Sequence, residues 1–339
     1  MGASLLDAGV LVVIPAHNVA RYLPQGIRSI VNQTIADWHC VIVDDGSTDA
    51  TADVAQRLAE DDRAGRITVV RQPNRGLSAA RNAGERAGPP TQFVLFLDAD
   101  DELFPDALDS LRQCLQRNLG HVAAHGYARL IDPDGESLPD GDFQQVLRYR
   151  NTLDAKGRLS RNSPTDPTTF CALAVNNCII STGTAMIRRA AFRASYGFDT
   201  TLRSAEDWDI WLRISRDSDL LFVDRPIMKY RRSPNSMSSN HWRMAWGIQW
   251  ARAKLLHDSS NSPAQAAYAR RAYRTFYRTL GSKRLGELIH GSAWNFRGLT
   301  LAMINMALAL FGPSLLWCMV LISGRSGSIA TSGRPEGST

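Results

Sequence analysis

Phe93-Val94-Leu95-Phe96-Leu97-Asp98-Ala99-Asp100-Asp101 is the stretch on which the fold turns. Five consecutive apolar residues make a short strand with both faces buried. Three carboxylates arrive together where the apolar run stops. Close like charges repel, so the cluster is costly unless a cation joins it. Oxygen ligands suit Mg²⁺ or Mn²⁺, which bridge a protein carboxylate to substrate phosphates. A solvated acidic turn ahead of the helix that starts near Pro105 gives the same local pattern. The strand context, and other polar clusters at strand ends, favour the metal.

Working outward, Val10–Ile14 and Cys40–Val43 are two more buried runs, and Ile67–Val70 is a third. Between them, helical spacing joins Leu23, Ile27, Ile30 and Val31, then Val54, Ala55 and Leu58. Leu77–Ala87 is an Ala-rich helix closed by Gly88-Pro89-Pro90, and Leu108, Leu111 and Leu115 mark another. Short apolar strands alternating with helices predict a mostly parallel α/β sheet covered on both faces. In such sheets ligands bind beyond the carboxyl ends of the strands. Ala16-His17-Asn18, Asp44-Asp45-Gly46-Ser47 and Asp98–Asp101 all fall there, so they are expected to line one nucleotide crevice.

Residues 126–178 show no long periodic stretch and read as loops and short elements over that crevice. Gly183–Arg188 reads as a strand. Ser204–Ser215 reads as a helix with Trp208, Trp211 and Leu212 on one face. Glu206-Asp207 stands at its head. A helix N-terminus favours an anion, so Asp207 is expected to stay ionised near neutral pH and able to take a proton from a hydroxyl. A plain N-terminal helix acid gives the same pattern.

With these residues in view, the chain resembles the family 2 glycosyltransferases. Val12–Asn18 is similar to their first strand, Ser29–Thr34 to their first helix and Val43–Asp49 to their second strand end. Asn74–Asn82 resembles their Asn-x-Gly…Ala-Arg-Asn segment. Leu97–Asp101 is similar to their D-x-D motif, and Glu206–Arg213 to their base helix. The resemblance covers about Val10 to Ser239. It implies a GT-A (Rossmann-like) fold and an inverting transfer from a nucleoside diphosphate sugar. It implies that Pro15, Ala16, His17, Asn18, Asp44 and Asp45 hold the nucleoside, with Arg81 near base or diphosphate. It further implies Asp98 near the ribose or sugar and at the metal, Asp100 on the metal, Glu206 beside the substrate, and Asp207 as catalytic base. In one respect the chain departs from its relatives: Ser233 stands where many carry a metal- or diphosphate-binding His. Arg231 or Arg232 is expected to clamp the diphosphate instead. His17 replaces a common Tyr and is expected to pack or hydrogen-bond.

Other functions fit less well. A haloacid-dehalogenase-like phosphatase wants a hydroxyl or Gly-Thr after its second Asp, where this chain has Asp101-Glu102. A nucleotidyltransferase wants a Gly-rich basic N-terminal loop, and a dinucleotide enzyme a G-x-G-x-x-G after its first strand. Neither is present. A catalytically silent nucleotide-sugar binder or assembly partner is the non-enzyme alternative, with Ser233 as its only support.

The 339 residues, 44% hydrophobic and 21% charged, have ordinary globular composition. The net charge of +6 is concentrated. From His241 to Arg297 ten Lys/Arg face two acids, Asp258 and Glu287. That basic block favours an anionic partner, and without a recognition motif nucleic acid is not expected. Tyr268, Ala272, Phe276 and Leu280 form one helix face, and Arg270, Arg274 and Arg278 another. Leu299–Ile322 is uncharged and long enough to span a bilayer, or to fold at Gly312-Pro313 into one leaflet. The expected organisation is a catalytic domain at 1–240, a basic and apolar helical extension at 241–322 and a disordered tail at 323–339. The extension would hold the protein at the cytoplasmic face of a membrane, where a lipid-linked glycan could be the acceptor. No secretory leader or myristoylation site is read in Met1–Val10. The five cysteines form no C-x-x-C and are expected to be reduced and mostly buried.

Overall fold

The computed structural model describes residues 9–139, 150–163, 165–233 and 241–290. The first half alternates as the apolar runs predict. In chain order come β1 (Val10–Ala16), α1 (Leu23–Val31), β2 (Trp38–Asp45), α2 (Thr51–Asp61), β3 (Ile67–Gln72), α3 (Leu77–Ala87) and β4 (Phe93–Phe96). Then follow β5 (Glu102–Leu103), α4 (Ala107–Arg117), β6 (Ala123–Ile131), a hairpin of β7 (Asn151–Leu153) and β8 (Leu159–Arg161), and α5 (Phe170–Val175). The rest is β9 (Ala185–Arg188), α6 (Arg189–Ala194), α7 (Glu206–Ile214), β10 (Leu221–Arg231), α8 (His241–His257) and α9 (Pro263–His290).

Eight strands form one sheet in the order β3-β2-β1-β4-β9-β6-β10-β5. The β3-β2-β1-β4 half is parallel, with Val12 opposite both Cys40 and Leu95. β9 runs antiparallel to both β4 and β6, and β10 returns parallel to β6. This is the GT-A arrangement.

Side chains alternate across the pleat, so each apolar strand feeds two cores. Val10, Val12, Ile14, Ile42 and Leu95 face one side with Ile27 and Ile30 of α1 and Leu108, Leu111 and Leu115 of α4. Leu11, Val13, Val41, Val43, Val94 and Phe96 face the other with Ala80 of α3 and Trp208 and Trp211 of α7. Each fully buried aliphatic side chain contributes about 1.5–3 kcal/mol. That holds the carboxyl ends of the parallel strands in register.

Two elements differ from the sequence reading. Residues 126–178 read as loops and short elements; the three-residue strands of the hairpin and the six-residue α5 are such elements, but β6 runs on as a strand to Ile131. The Tyr268–Leu280 segment reads as a basic amphipathic helix, with membrane association favoured over packing of its apolar face on the catalytic domain. Instead, Ala269 and Ala272 of α9, with Ala251 and Leu255 of α8, join the second core. Tyr273 and Tyr277 pack with Ala253 in a satellite cluster. Arg270, Arg274 and Arg278 remain exposed on the outer face. Among the described residues no helix is long and apolar enough to cross a membrane. Leu299–Ile322, the tail and the side chain of Leu280 lie outside them.

Candidate active site

The parallel strands deliver their loops to one edge, and hydrogen bonds tie those loops together. After β1, the side chain of His17 reaches β2: its Nδ1 lies 3.0 Å from the carbonyl of Asp45. A carbonyl only accepts, so Nδ1 carries the proton. Nε2 is then free to accept from Asn74, whose Nδ2 is 3.3 Å away. Asn18, at φ 55°, accepts through Oδ1 from the amide of Thr48 at 2.8 Å. Pro15 and Ala16 are buried at the strand end. His17 and Asn18 are exposed on its rim.

Asp44 and Asp45 are both buried. Asp44 accepts from the Ser47 amide at 3.1 Å and from Arg71 Nε at 3.2 Å. Asp45 Oδ1 accepts from Gln72 Nε2 at 2.7 Å and the Arg75 amide at 2.9 Å, and Oδ2 from the Gly76 amide at 2.8 Å. Asp45 therefore braces the loop that starts α3. Gly46, at φ 71°, lets this turn lie against that loop, for a Cβ there would sit 2.6 Å from the Asn74 nitrogen.

Further along the same edge, Arg81 of α3 is buried between two carboxylates. Its Nη2 donates to Asp98 at 2.6 Å and its Nη1 to Glu206 at 2.8 Å. Asp98 follows β4 and Glu206 opens α7, so one guanidinium joins the D-x-D segment to the helix bearing Asp207. Arg81 is thus engaged inside the protein rather than reaching into open space.

Asp100 has its pKa pushed up to about 6, by burial first and by the Asp98 charge second. Asp101 turns inward. Its Oδ1 accepts from the Arg231 amide at 2.9 Å, and burial with the Asp100 charge raises its pKa well above the usual range. Among the described residues no group of three or more His, Cys, Asp or Glu side chains gathers around one point. Asp98 and Asp100 nevertheless fit a divalent ion held mainly by substrate phosphates. Asp100 receives no side-chain hydrogen bond among the described residues, and burial with the Asp98 charge disfavours its ionised form, which a bound cation would favour.

Arg231, expected as a diphosphate clamp, is buried and already engaged. It donates to the carbonyls of Asp100 (2.8 Å), Asp132 and Pro133 (3.1 Å each) and to Glu102 (2.7 Å). It fixes the backbone of the D-x-D turn. Arg232 beside it is exposed, and Ser233 is half-buried.

Asp207 has its pKa pushed up to about 7, by burial first and by the Glu206 charge second. The expectation of full ionisation near neutral pH is corrected here. Burial and a like charge outweigh the helix N-terminus, although Arg81, the Trp208 amide and Asn177 pull the other way. Asn177, which sequence reasoning did not single out, donates from Nδ2 to Asp207 Oδ2 at 3.3 Å. No sequence signal marked it, since it sits in an irregular loop far along the chain.

The sheet order, the strand-end acids and the helix-borne acid define a GT-A catalytic domain. The sequence pattern of glycosyl transferase family 2 matches residues 11–195, and the chain belongs to that family. It is 34% identical over 146 residues to the glycosyltransferase GlyA of Streptococcus pneumoniae, covering 42% of this chain and 20% of GlyA. It is 26% identical over 207 residues to chondroitin synthase of Pasteurella multocida, covering 61% of this chain and 19% of that one. The chain spans 20%, 32% and 64% of the length of the first three curated relatives it matches. Among solved structures, S. aureus TarS 1-349 in complex with UDP-GlcNAc superposes with a TM-score of 0.61 at 16% identity. That superposition covers 89% of this chain and 81% of TarS 1-349.

Proposed function

We propose that this chain transfers a sugar, with inversion, from a nucleoside diphosphate sugar to an acceptor hydroxyl during cell-surface polysaccharide or glycolipid synthesis. The observation that carries this reading is the Arg81 bridge between Asp98 and Glu206. It ties the D-x-D segment to the head of the helix that carries Asp207, which supports reading the acids on both as parts of one site.

Asp207 is the base. It takes the proton of the acceptor hydroxyl, and that oxygen attacks C1 from the face opposite the diphosphate. The bond from C1 to the phosphate oxygen breaks, and its electron pair leaves with the nucleoside diphosphate. His17, Asn18 and the Asp45-braced loop frame the nucleoside, and Arg232 is the exposed arginine nearest the role of diphosphate clamp. Asp98 and Asp100 would hold Mg²⁺ or Mn²⁺, which as a Lewis acid stabilises charge on the leaving diphosphate. TarS is bound to UDP-GlcNAc, so UDP-sugars are the first donors to try. The chondroitin synthase relative supports a glycan acceptor.

In this reading residues 1–240 are the catalytic domain. Residues 241–322 form an extension whose first part is built onto the same core, and 323–339 form a tail. The exposed Arg270, Arg274 and Arg278 and the apolar Leu299–Ile322 support attachment at the cytoplasmic face of a membrane.

The test is incubation with UDP-, GDP- and dTDP-sugars and Mn²⁺, scored for slow release of free diphosphate, then repeated with Asp207→Asn. Release by the wild type and its loss in the variant are expected. A protein stabilised by a donor yet releasing nothing is a binder, and the transfer reading is then discarded.

A further inference from the structure

We propose that Asn177 is a positioning residue for Asp207, holding its carboxylate in place and favouring the ionised form. The proposal rests on reading Asp207 as the base.

The amide is not free to turn. Asn177 Oδ1 accepts from the Ile179 amide at 3.2 Å, which aims Nδ2 at Asp207. Asp207 Oδ1 accepts from the Trp208 amide at 2.7 Å. Among the described residues, Asn177 is the one side chain that donates to this carboxylate. Its contact reaches Oδ2, the oxygen the backbone leaves open.

The loop bearing Asn177 is also fixed against α7. Trp208 Nε1 donates to the Leu173 carbonyl at 2.9 Å, and Arg252 Nη2 to the Val175 carbonyl at 3.2 Å. Ile179 and Cys178 are buried beyond it. On the other side, Ala205 at φ 58° turns the chain sharply into α7. The left-handed region is sparse for alanine, and such residues persist where surroundings impose them. Asp207 is therefore held from both flanks.

The charges around Asp207 are few. Glu206 on α7 disfavours its ionisation, and Arg81 on α3 favours it but is shared with Asp98 and Glu206. From α8, Arg252 stacks over the Trp208 ring 5.0 Å from its centroid, and Lys254 is engaged by Asp199 and Asp209. With one shared cation available, a neutral N–H donor is the added means of keeping Asp207 able to accept a proton.

The experiment uses the full chain and two variants, Asn177→Ala and the isosteric Asn177→Asp. Carbodiimide labelling of Asp207 across pH, read by peptide mass spectrometry, gives the midpoint of its ionisation. The donor-hydrolysis profile gives the acid limb of activity. In Asn177→Ala both midpoints should rise by about one pH unit, since a hydrogen bond to a charged group lowers a carboxylate pKa by roughly that much. Activity at pH 7 should fall about 5- to 10-fold and recover towards wild type near pH 9. Asn177→Asp, which swaps the donor for a second carboxylate, should raise the labelling midpoint further. Midpoints unmoved in both variants, or activity reduced equally at every pH, overturn the proposal. Labelling works whether or not the chain turns over donor. Failure of the transfer reading shows as a wild type without hydrolysis, and failure of this inference as an unmoved midpoint.

Discussion

Asp98 and Glu206 are held by the two arms of one guanidinium, at 2.6 and 2.8 Å from Arg81. Arg81 is 2% exposed, so this is a buried contact and not a surface pair. Removing one partner of such a group leaves charge uncompensated, at a cost of about 3–5 kcal/mol. Arg81→Ala should therefore lower the free energy of urea unfolding by about that amount and abolish donor hydrolysis. Arg81→Lys keeps the charge but not the fork, and should fall between. A loss under about 1 kcal/mol, the range of an exposed pair, would show that the bridge is not a structural tie.

The raised pKa of Asp207 has two consequences, both near pH 7. The base works only when ionised, so donor hydrolysis should rise with pH along an acid limb centred near 7. Asp207→Asn should remove most activity at every pH. For stability the sign is opposite to the usual carboxylate case. The folded state keeps a proton that the unfolded state releases near pH 4, so stability falls as pH rises from about 4 to about 7. Relative to Asp207→Asn, the wild type should lose stability across that window and run parallel above it. Parallel curves throughout would mean that Asp207 titrates normally.

Much of this was legible in the sequence because the first four strands carry short apolar runs rich in β-branched and aromatic residues, and two of them, β2 and β4, lead straight into acids. β6 was not legible. Ala-Ala-His-Gly-Tyr has low strand propensity and is held in place by pairing with β9 and β10 on both sides. β10 is interrupted by Asp224-Arg225-Pro226, where the register shifts. The partners of Asp45, Arg81 and Arg231 were equally hidden. A charged residue at a strand end looks the same in sequence whether it meets a ligand or a distant loop. The pKa of Asp207 escaped because burial, a property of the packed chain, overrode the helix terminus that the sequence did reveal.

Asp98 and Asp100 give the metal a direct test. If the pair holds a divalent ion with the diphosphate, Mn²⁺ and UDP together should raise the melting temperature more than the sum of their separate effects. Asp100→Asn should erase that excess while stabilising the protein without ligand, because it removes a carboxylate whose ionisation burial and Asp98 oppose. Hydrolysis should stop on chelation and return with Mn²⁺ or Mg²⁺. Synergy that survives Asp100→Asn would move the metal elsewhere.

The extension predicts where the protein goes. With Leu299–Ile322 present, the chain should sediment with vesicles containing anionic lipid, and deletion of 299–339 should release it. Replacing Arg270, Arg274 and Arg278 with Gln should weaken binding in a salt-dependent way and leave folding intact, because the three face solvent. Full solubility of the intact chain in the presence of such vesicles would end the membrane proposal.

Gly247 couples the extension to the base. It lies on α8 directly over Ser204, whose Oγ donates to the Arg243 carbonyl at 2.9 Å, and Arg243 donates back to the Arg203 carbonyl at 2.8 Å. A Cβ at Gly247 would sit 2.7 Å from the Ser204 carbonyl oxygen and would also overlap its hydroxyl. Backbone cannot yield as a flexible side chain does, so Gly247→Ala must push α8 away from the turn that Ala205 makes into α7. Overpacking of this kind costs about 1–3 kcal/mol. Because Asp207 lies just beyond that turn, hydrolysis should fall more steeply than stability, measured at a temperature where the variant remains folded. Equal activity per folded molecule would show that α8 supports the fold without setting the position of the base.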